Sequence, residues 1–97
     1  MSVVWTETAT SQLEAIRDYF SRNNPAFARA SAGRIVVLGE SLEGRPFFGP
    51  EVPEYGDPDI REVYEHPYRI LYRVNDVDVQ VVSVIHSARQ LPLLPPI

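Results

Sequence analysis

The sequence predicts an α+β domain in the order β-α-α-β-β-β: an N-terminal edge strand, then an α-helical hairpin packed on a small antiparallel sheet. Three observations carry this reading. Residues 68–85 contain two runs in which apolar and polar side chains alternate with the period of a strand. Residues 9–42 place apolar side chains at helical spacing on both sides of Asn24 and Pro25, a cap followed by a first-turn proline. The chain has 97 residues and is 44% hydrophobic, enough for one core and too small to split, so residues 1–97 are read as a single domain.

Val3, Val4 and Trp5 have β propensity and form a short edge strand that ends at Thr6. Thr6 or Thr8 then caps a first helix, in which Ala9, Leu13, Ile16 and Phe20 make the apolar stripe. The pairs Glu14/Arg17 and Asp18/Arg22 lie on its solvated side. Asn24 caps a second helix with Pro25 at its first position, where the missing donor costs nothing. That helix runs to about Leu42, burying Ala28, Ala32, Ile35, Leu38 and Leu42 and turning Arg29 and Arg34 to solvent. Gly33 and Gly39 each cost about 1 kcal/mol of helix propensity relative to alanine. Close helix packing is the expected reason for both.

Residues 43–59 are too rich in proline and glycine for regular structure. Phe47, Phe48, Val52 and Tyr55 are expected to pin this long connection across the core, a packing role preferred to a binding one. A third antiparallel strand begins at Ile60 and ends at His66 and Pro67, with its register left open. In the hairpin that follows, a two-residue loop at Asn75 and Asp76 sets Val74 opposite Val77 and Arg73 opposite Asp78. Tyr68, Ile70 and Tyr72 then share an apolar face with Val79, Val81 and Ile85 under the helices. Arg69, Leu71 and Arg73 lie beside Asp78, Gln80, Val82, Val84 and His86 on a second face, expected to be open. Residues 91–97, rich in leucine and proline, form an extended tail expected to be free in the unbound chain.

Nine basic residues, all arginine, stand against thirteen acidic ones for a net charge of −4, which weighs against broad nucleic-acid binding. No cysteine is present, so neither a disulfide nor a thiolate metal site can form. No apolar run approaches membrane-spanning length and no basic signal sequence opens the chain, so a cytoplasmic protein is expected. His66, beside Pro67, has a structural role. Two histidines without suitably spaced carboxylates make no metal site, and no cofactor is expected. Asp57, Asp59, Glu62 and Glu65 are read as a solvated cluster, because no apolar surround is evident to shift them.

Three segments together resemble a known family: Asp59-Ile60-Arg61-Glu62-Val63, then Pro67-Tyr68-Arg69-Ile70-Leu71-Tyr72-Arg73-Val74, then Val84-Ile85-His86-Ser87-Ala88-Arg89-Gln90-Leu91. With the opening Trp5-Thr6-Glu7 and Ala9, Leu13, Ile16 and Tyr19, they are similar to the ParE/RelE superfamily of bacterial toxins over nearly the whole chain. The resemblance implies a toxin of a type II toxin–antitoxin pair, neutralised by a cognate antitoxin. In the RelE-like branch the toxin cleaves messenger RNA on the ribosome; in the ParE-like branch it poisons DNA gyrase.

Arg61, Arg69 and His86 are the catalytic candidates if the chain is a nuclease, since Arg69 and His86 match places used for catalysis in some RNA-cleaving members. In-line attack by a ribose 2′-hydroxyl needs a base, an acid and cations, and the predicted register puts Arg69 and His86 on one face. The absence of lysine, the acidic balance and the lack of an aromatic residue just after His86 favour the ParE-like branch. Taken alone, His86 is more simply a strand-end histidine bonded to a neighbouring backbone group. The expected partner surface comprises Arg69, Leu71, Arg73, Val82, Val84, His86, Arg89, Leu93 and Leu94. A degenerate member that binds its partner but poisons nothing is the third alternative.

Overall fold

The computed structural model describes residues 1–93 and 95, with Phe20 described by its backbone alone. The elements are β1 (Ser2–Trp5), α1 (Glu7–Ser21), α2 (Pro25–Glu40), a 3-10 turn (Ser41–Gly44), β2 (Ile60–Glu65), β3 (Tyr68–Val74) and β4 (Asp78–His86). The predicted α+β order is therefore the observed one. The sheet order is β1-β4-β3-β2, and β1 lies at an edge, as expected. α2 ends beside Trp5 at the C-terminal end of β1, and the connecting segment, antiparallel to β2 at Glu51 and Arg61, carries the chain back before β2 begins, so β1 joins β4 in parallel. The sheet is thus mixed, with its three C-terminal strands antiparallel.

Both helices start at the predicted caps. The Thr6 hydroxyl accepts from the Ala9 N–H at 3.2 Å, and the Asn24 side chain accepts from the Phe27 N–H at 3.1 Å, each satisfying a donor that helix geometry leaves unpaired. Ala9, Ala28, Ala32 and Ile35 are buried, and Leu42 is buried from the 3-10 turn that continues α2. Of the two helical glycines, only Gly39 answers to close packing. A Cβ there would sit 2.6 Å from the Trp5 indole, whose Nε1 donates to Glu40 at 3.0 Å. Gly33 faces open space, so close packing does not explain it.

The β3–β4 hairpin is closed by a wider turn than predicted. Asn75 accepts from the Val77 and Asp78 N–H groups and donates to the Asp78 carboxylate, closing a four-residue loop that sets Val74 opposite Val79. Arg73 therefore faces Gln80 rather than Asp78. Further along, Tyr72 pairs with Val81 but Leu71 pairs with Ser83, so Val82 is an inserted residue and the strand carries a bulge. The bulge exchanges faces for everything after it. Val84 joins Ile70, Tyr72, Val79 and Val81 under the helices, and Ile85 moves to the other side. The Val84 N–H released by the irregularity donates to Gln12 of α1 at 2.7 Å.

The second sheet face is not open. Val52, with Tyr55 at its margin, packs on Ile60, Leu71, Val82 and Leu91 in a second apolar cluster. The connecting segment crosses that face and is held to β2 by the Val52 N–H on the Ile60 carbonyl and the Glu62 N–H on the Pro50 carbonyl, both 3.0 Å. The loop's expected packing role falls to Val52 and Tyr55, while Phe47 and Phe48 are more than half exposed. The start of the tail is docked rather than free: Leu91 is buried, and the Tyr55 hydroxyl donates to the Pro92 carbonyl at 3.0 Å. Leu93 is 94% exposed, and Leu94 and Ile97 lie outside the described residues.

Candidate functional site

Arg69 lies on the covered face with each of its three guanidinium nitrogens bonded to a carboxylate. Its Nε donates to Glu62 at 2.6 Å, and its two terminal nitrogens donate to the two oxygens of Glu54 at 2.8 and 3.0 Å. Arg69 and Glu62 are both buried, and Glu54 closes the pair from the solvent side. The Glu54 bonds, helped by Glu62 and opposed by desolvation, push the Arg69 pKa further up. The guanidinium in turn holds the Glu54 carboxyl below its ordinary value, chiefly through the same hydrogen bonds. Sequence pattern assigns Glu62 to a solvated cluster, but in the structure it is buried. Its alternation with Ile60 on the inward side of β2 was the missed signal, and it could be used only once the register against β3 was known.

His86 sits on the opposite face. It pairs with Tyr68 across the strands, with ring centroids 5.9 Å apart in an edge-on arrangement, whereas Arg69 pairs with Ile85. The bulge at Val82 thus separates the two residues that the simpler register would have brought together. Its Nδ1 accepts from the Ala88 N–H at 3.0 Å, the neighbouring backbone bond expected of a strand-end histidine. His86 forms one wall of a groove of about 330 Å³ between α1 and the end of β4, with Gln12, Ile16, Tyr19, Tyr68 and Arg89. Burial, with the Tyr19 phenol as a smaller contribution, pushes the Tyr68 hydroxyl's pKa up.

Arg61, the third nuclease candidate, is placed apart from both. Its guanidinium donates to the Pro58 and Gly49 carbonyls at 2.9 and 3.0 Å and lies 4.8 Å from the centre of the Phe47 ring. Arg45 covers the Phe48 ring in the same way at 4.1 Å. Neither stacked pair is signalled by sequence pattern, since each joins residues through loop geometry. Within the predicted partner surface, Leu71, Val82 and Val84 are core residues and Arg69 is buried, leaving Arg73, His86, Arg89 and Leu93 exposed; Leu94 lies outside the described residues.

A second groove, of about 600 Å³, runs along the outside of α2, lined by Ala30, Gly33, Arg34, Val37, Leu38 and Glu65. Val37 is largely exposed at its rim, and Arg34 bridges to Glu65 at 2.7 Å, tying the helix to the end of β2. Among the described residues no cluster of three or more histidines and carboxylates could hold a metal, and no helix is long and apolar enough to cross a membrane.

The family model described as the ParE toxin of type II toxin–antitoxin systems, parDE, matches residues 3–91. The chain belongs to the ParE toxin family. The toxin is 38% identical over 91 residues to toxin RelE2 of Caulobacter vibrioides, covering 90% of this chain and 96% of that one. In fold it is similar to a solved chain of the chromosomal ParDE toxin–antitoxin system from P. aeruginosa, with a TM-score of 0.76 and 25% identity over 89% of this chain and 95% of that chain. The toxin is therefore a ParE-family component of a type II toxin–antitoxin system, a setting that implies an antitoxin partner.

Proposed function

We propose that this toxin acts in the cytoplasm by inhibiting DNA gyrase, and that a cognate antitoxin neutralises it by laying an amphipathic helix along the outer groove of α2. One observation carries the choice of branch. Arg69 is locked between two carboxylates on one sheet face while His86 lies on the other. A nuclease built from Arg61, Arg69 and His86 needs acid, base and phosphate-binding cation around one scissile group, and these three side chains do not converge. The gyrase target itself rests on the family resemblance.

The α2 groove supports the antitoxin's position. It offers apolar walls at Val37 and Leu38, small floor residues at Ala30 and Gly33, and a charged margin at Arg34 and Glu65, which suits a helix with one apolar stripe. Arg73, His86, Arg89 and Leu93 remain available as further partner contacts.

The name of the Caulobacter relative keeps a RelE-like activity, ribosome-dependent cleavage of messenger RNA, as the second reading. One experiment separates the two. Purified toxin is expected to inhibit gyrase supercoiling and leave ribosome-bound messenger RNA whole. Cleaved messenger RNA with fully active gyrase overturns the reading, and His86→Ala should then slow cleavage by about 10²- to 10⁴-fold.

A further inference from the structure

We infer that the groove between α1 and the end of β4 is a receptor for a carboxylate-bearing side chain of a partner protein, seated beside an apolar residue of the same partner segment. The groove's polar groups have donors left to offer. The Gln12 carbonyl oxygen accepts from the Val84 N–H at 2.7 Å and from the Ser83 hydroxyl at 3.1 Å. A backbone N–H can only donate, so these bonds fix the amide's orientation and leave its NH2 as a donor. No bond to that NH2 is found among the described residues. His86 is fixed in the same way. Its Nδ1 accepts from Ala88, so the neutral ring carries its proton on Nε2, again a donor.

Arg89 supplies a full positive charge at the same site and forms no ion pair among the described residues. No carboxylate of the described residues lines the groove, in a chain with thirteen acidic residues against nine basic ones. Asp18 lines an adjoining hollow, which it shares with Arg22. Gln12 and His86, with donors to spare, and the cation of Arg89 therefore line the same groove as the apolar side chain of Ile16 and the rings of Tyr19 and Tyr68.

That combination selects the occupant. One guanidinium and two neutral donors match the single charge of an aspartate or glutamate, and the aromatic lining takes the side chain next to it. A polyphosphate strand would meet one cation here on a molecule of net charge −4, which disfavours nucleic acid. The antitoxin is the partner to which we assign the acidic segment, and this assignment rests on the toxin–antitoxin reading above.

Two comparisons test it. In the first, isotope-labelled full-length toxin is titrated with the blocked dipeptide N-acetyl-leucyl-aspartate amide and with its asparagine counterpart. The aspartyl peptide should give saturable shifts at the Gln12 amide and His86 imidazole and bind roughly tenfold more tightly than the asparaginyl one. In the second, Arg89→Gln should weaken binding of the antitoxin encoded beside the toxin by roughly tenfold while leaving the melting temperature unchanged. Equal binding in either comparison, or shifts confined to other surfaces, overturns the inference. If wild-type toxin does not bind that antitoxin, the toxin–antitoxin reading is what fails, and the dipeptide comparison still decides the groove. Nucleic acid becomes the occupant instead if a single-stranded oligonucleotide shifts the same groups and the aspartyl peptide does not.

Discussion

The Gly49 N–H donates to the Tyr72 hydroxyl at 2.9 Å, joining the long connection to the middle of β3 through the only polar atom of a fully buried ring. A Cβ on Gly49 would collide with the Glu62 carbonyl, so the backbone can approach the sheet this closely only because the residue is glycine. Burial pushes the Tyr72 hydroxyl's pKa up, partly offset by this bond. Gly49→Ala is expected to destabilise the toxin by about 1–3 kcal/mol through overpacking. Tyr72→Phe, which leaves the Gly49 N–H without an acceptor, should cost a similar amount. Urea denaturation of the two variants and their double mutant checks this, because a shared contact predicts costs that do not add.

Ile70 and Val81 are fully buried in one cluster beneath the helices, although they are not directly paired. Replacing either by aspartate should unfold the domain, since an unpaired buried carboxylate costs several kcal/mol against a total stability of about 5–15 kcal/mol. A cooperative thermal transition at the wild-type temperature in either variant would contradict the placement.

Arg69→Ala leaves Glu62 buried without its cation and is expected to cost about 3–5 kcal/mol. Glu54→Gln should cost at most about 1 kcal/mol, because the Glu54 side chain is 43% exposed and its share of the network is screened by water. Thermal melts of the two variants should therefore rank them clearly.

The same network sets an acid limb. Hydrogen bonds from Arg69 hold the Glu54 pKa below its ordinary value of 4.5 in the folded state. The unfolded chain therefore binds the proton more readily, so the contribution is complete above the unfolded pKa and disappears as pH falls through the folded one. Glu54→Gln should lessen the loss of stability below about pH 4, a difference read from denaturation at a series of acidic pH values.

The docked part of the tail separates from the exposed part at Leu91 and Leu93. Leu91→Ala should cost about 2–5 kcal/mol, because it opens a void in the second apolar cluster. Leu93→Ala should shift the melting temperature by no more than a degree or two, since that side chain stands in water. Equal melting temperatures for the two variants would place both on the surface.

The sequence alone determined the elements and their order, because each is specified by local chemistry. Asn24 and Pro25 start α2 wherever the helix is packed, and the alternation through Tyr68, Ile70, Tyr72 and Val74 specifies a strand and its buried side. Tertiary structure decided which faces and side chains meet. In the stretch Val81, Val82, Ser83, Val84 and Ile85 the apolar residues occur at both parities, so the pattern does not choose between a regular ladder and a bulge, and packing against Gln12 of α1 accompanies the second. That one inserted residue carries His86 away from Arg69 and into the groove with Tyr68. Glu54 and Glu62 find Arg69 across gaps of fifteen and seven residues, and proline-rich loop geometry fixes one of those encounters. Local propensity encodes the elements of the fold, while the site depends on register and loop closure, which are settled only when distant segments compete for the same buried surface.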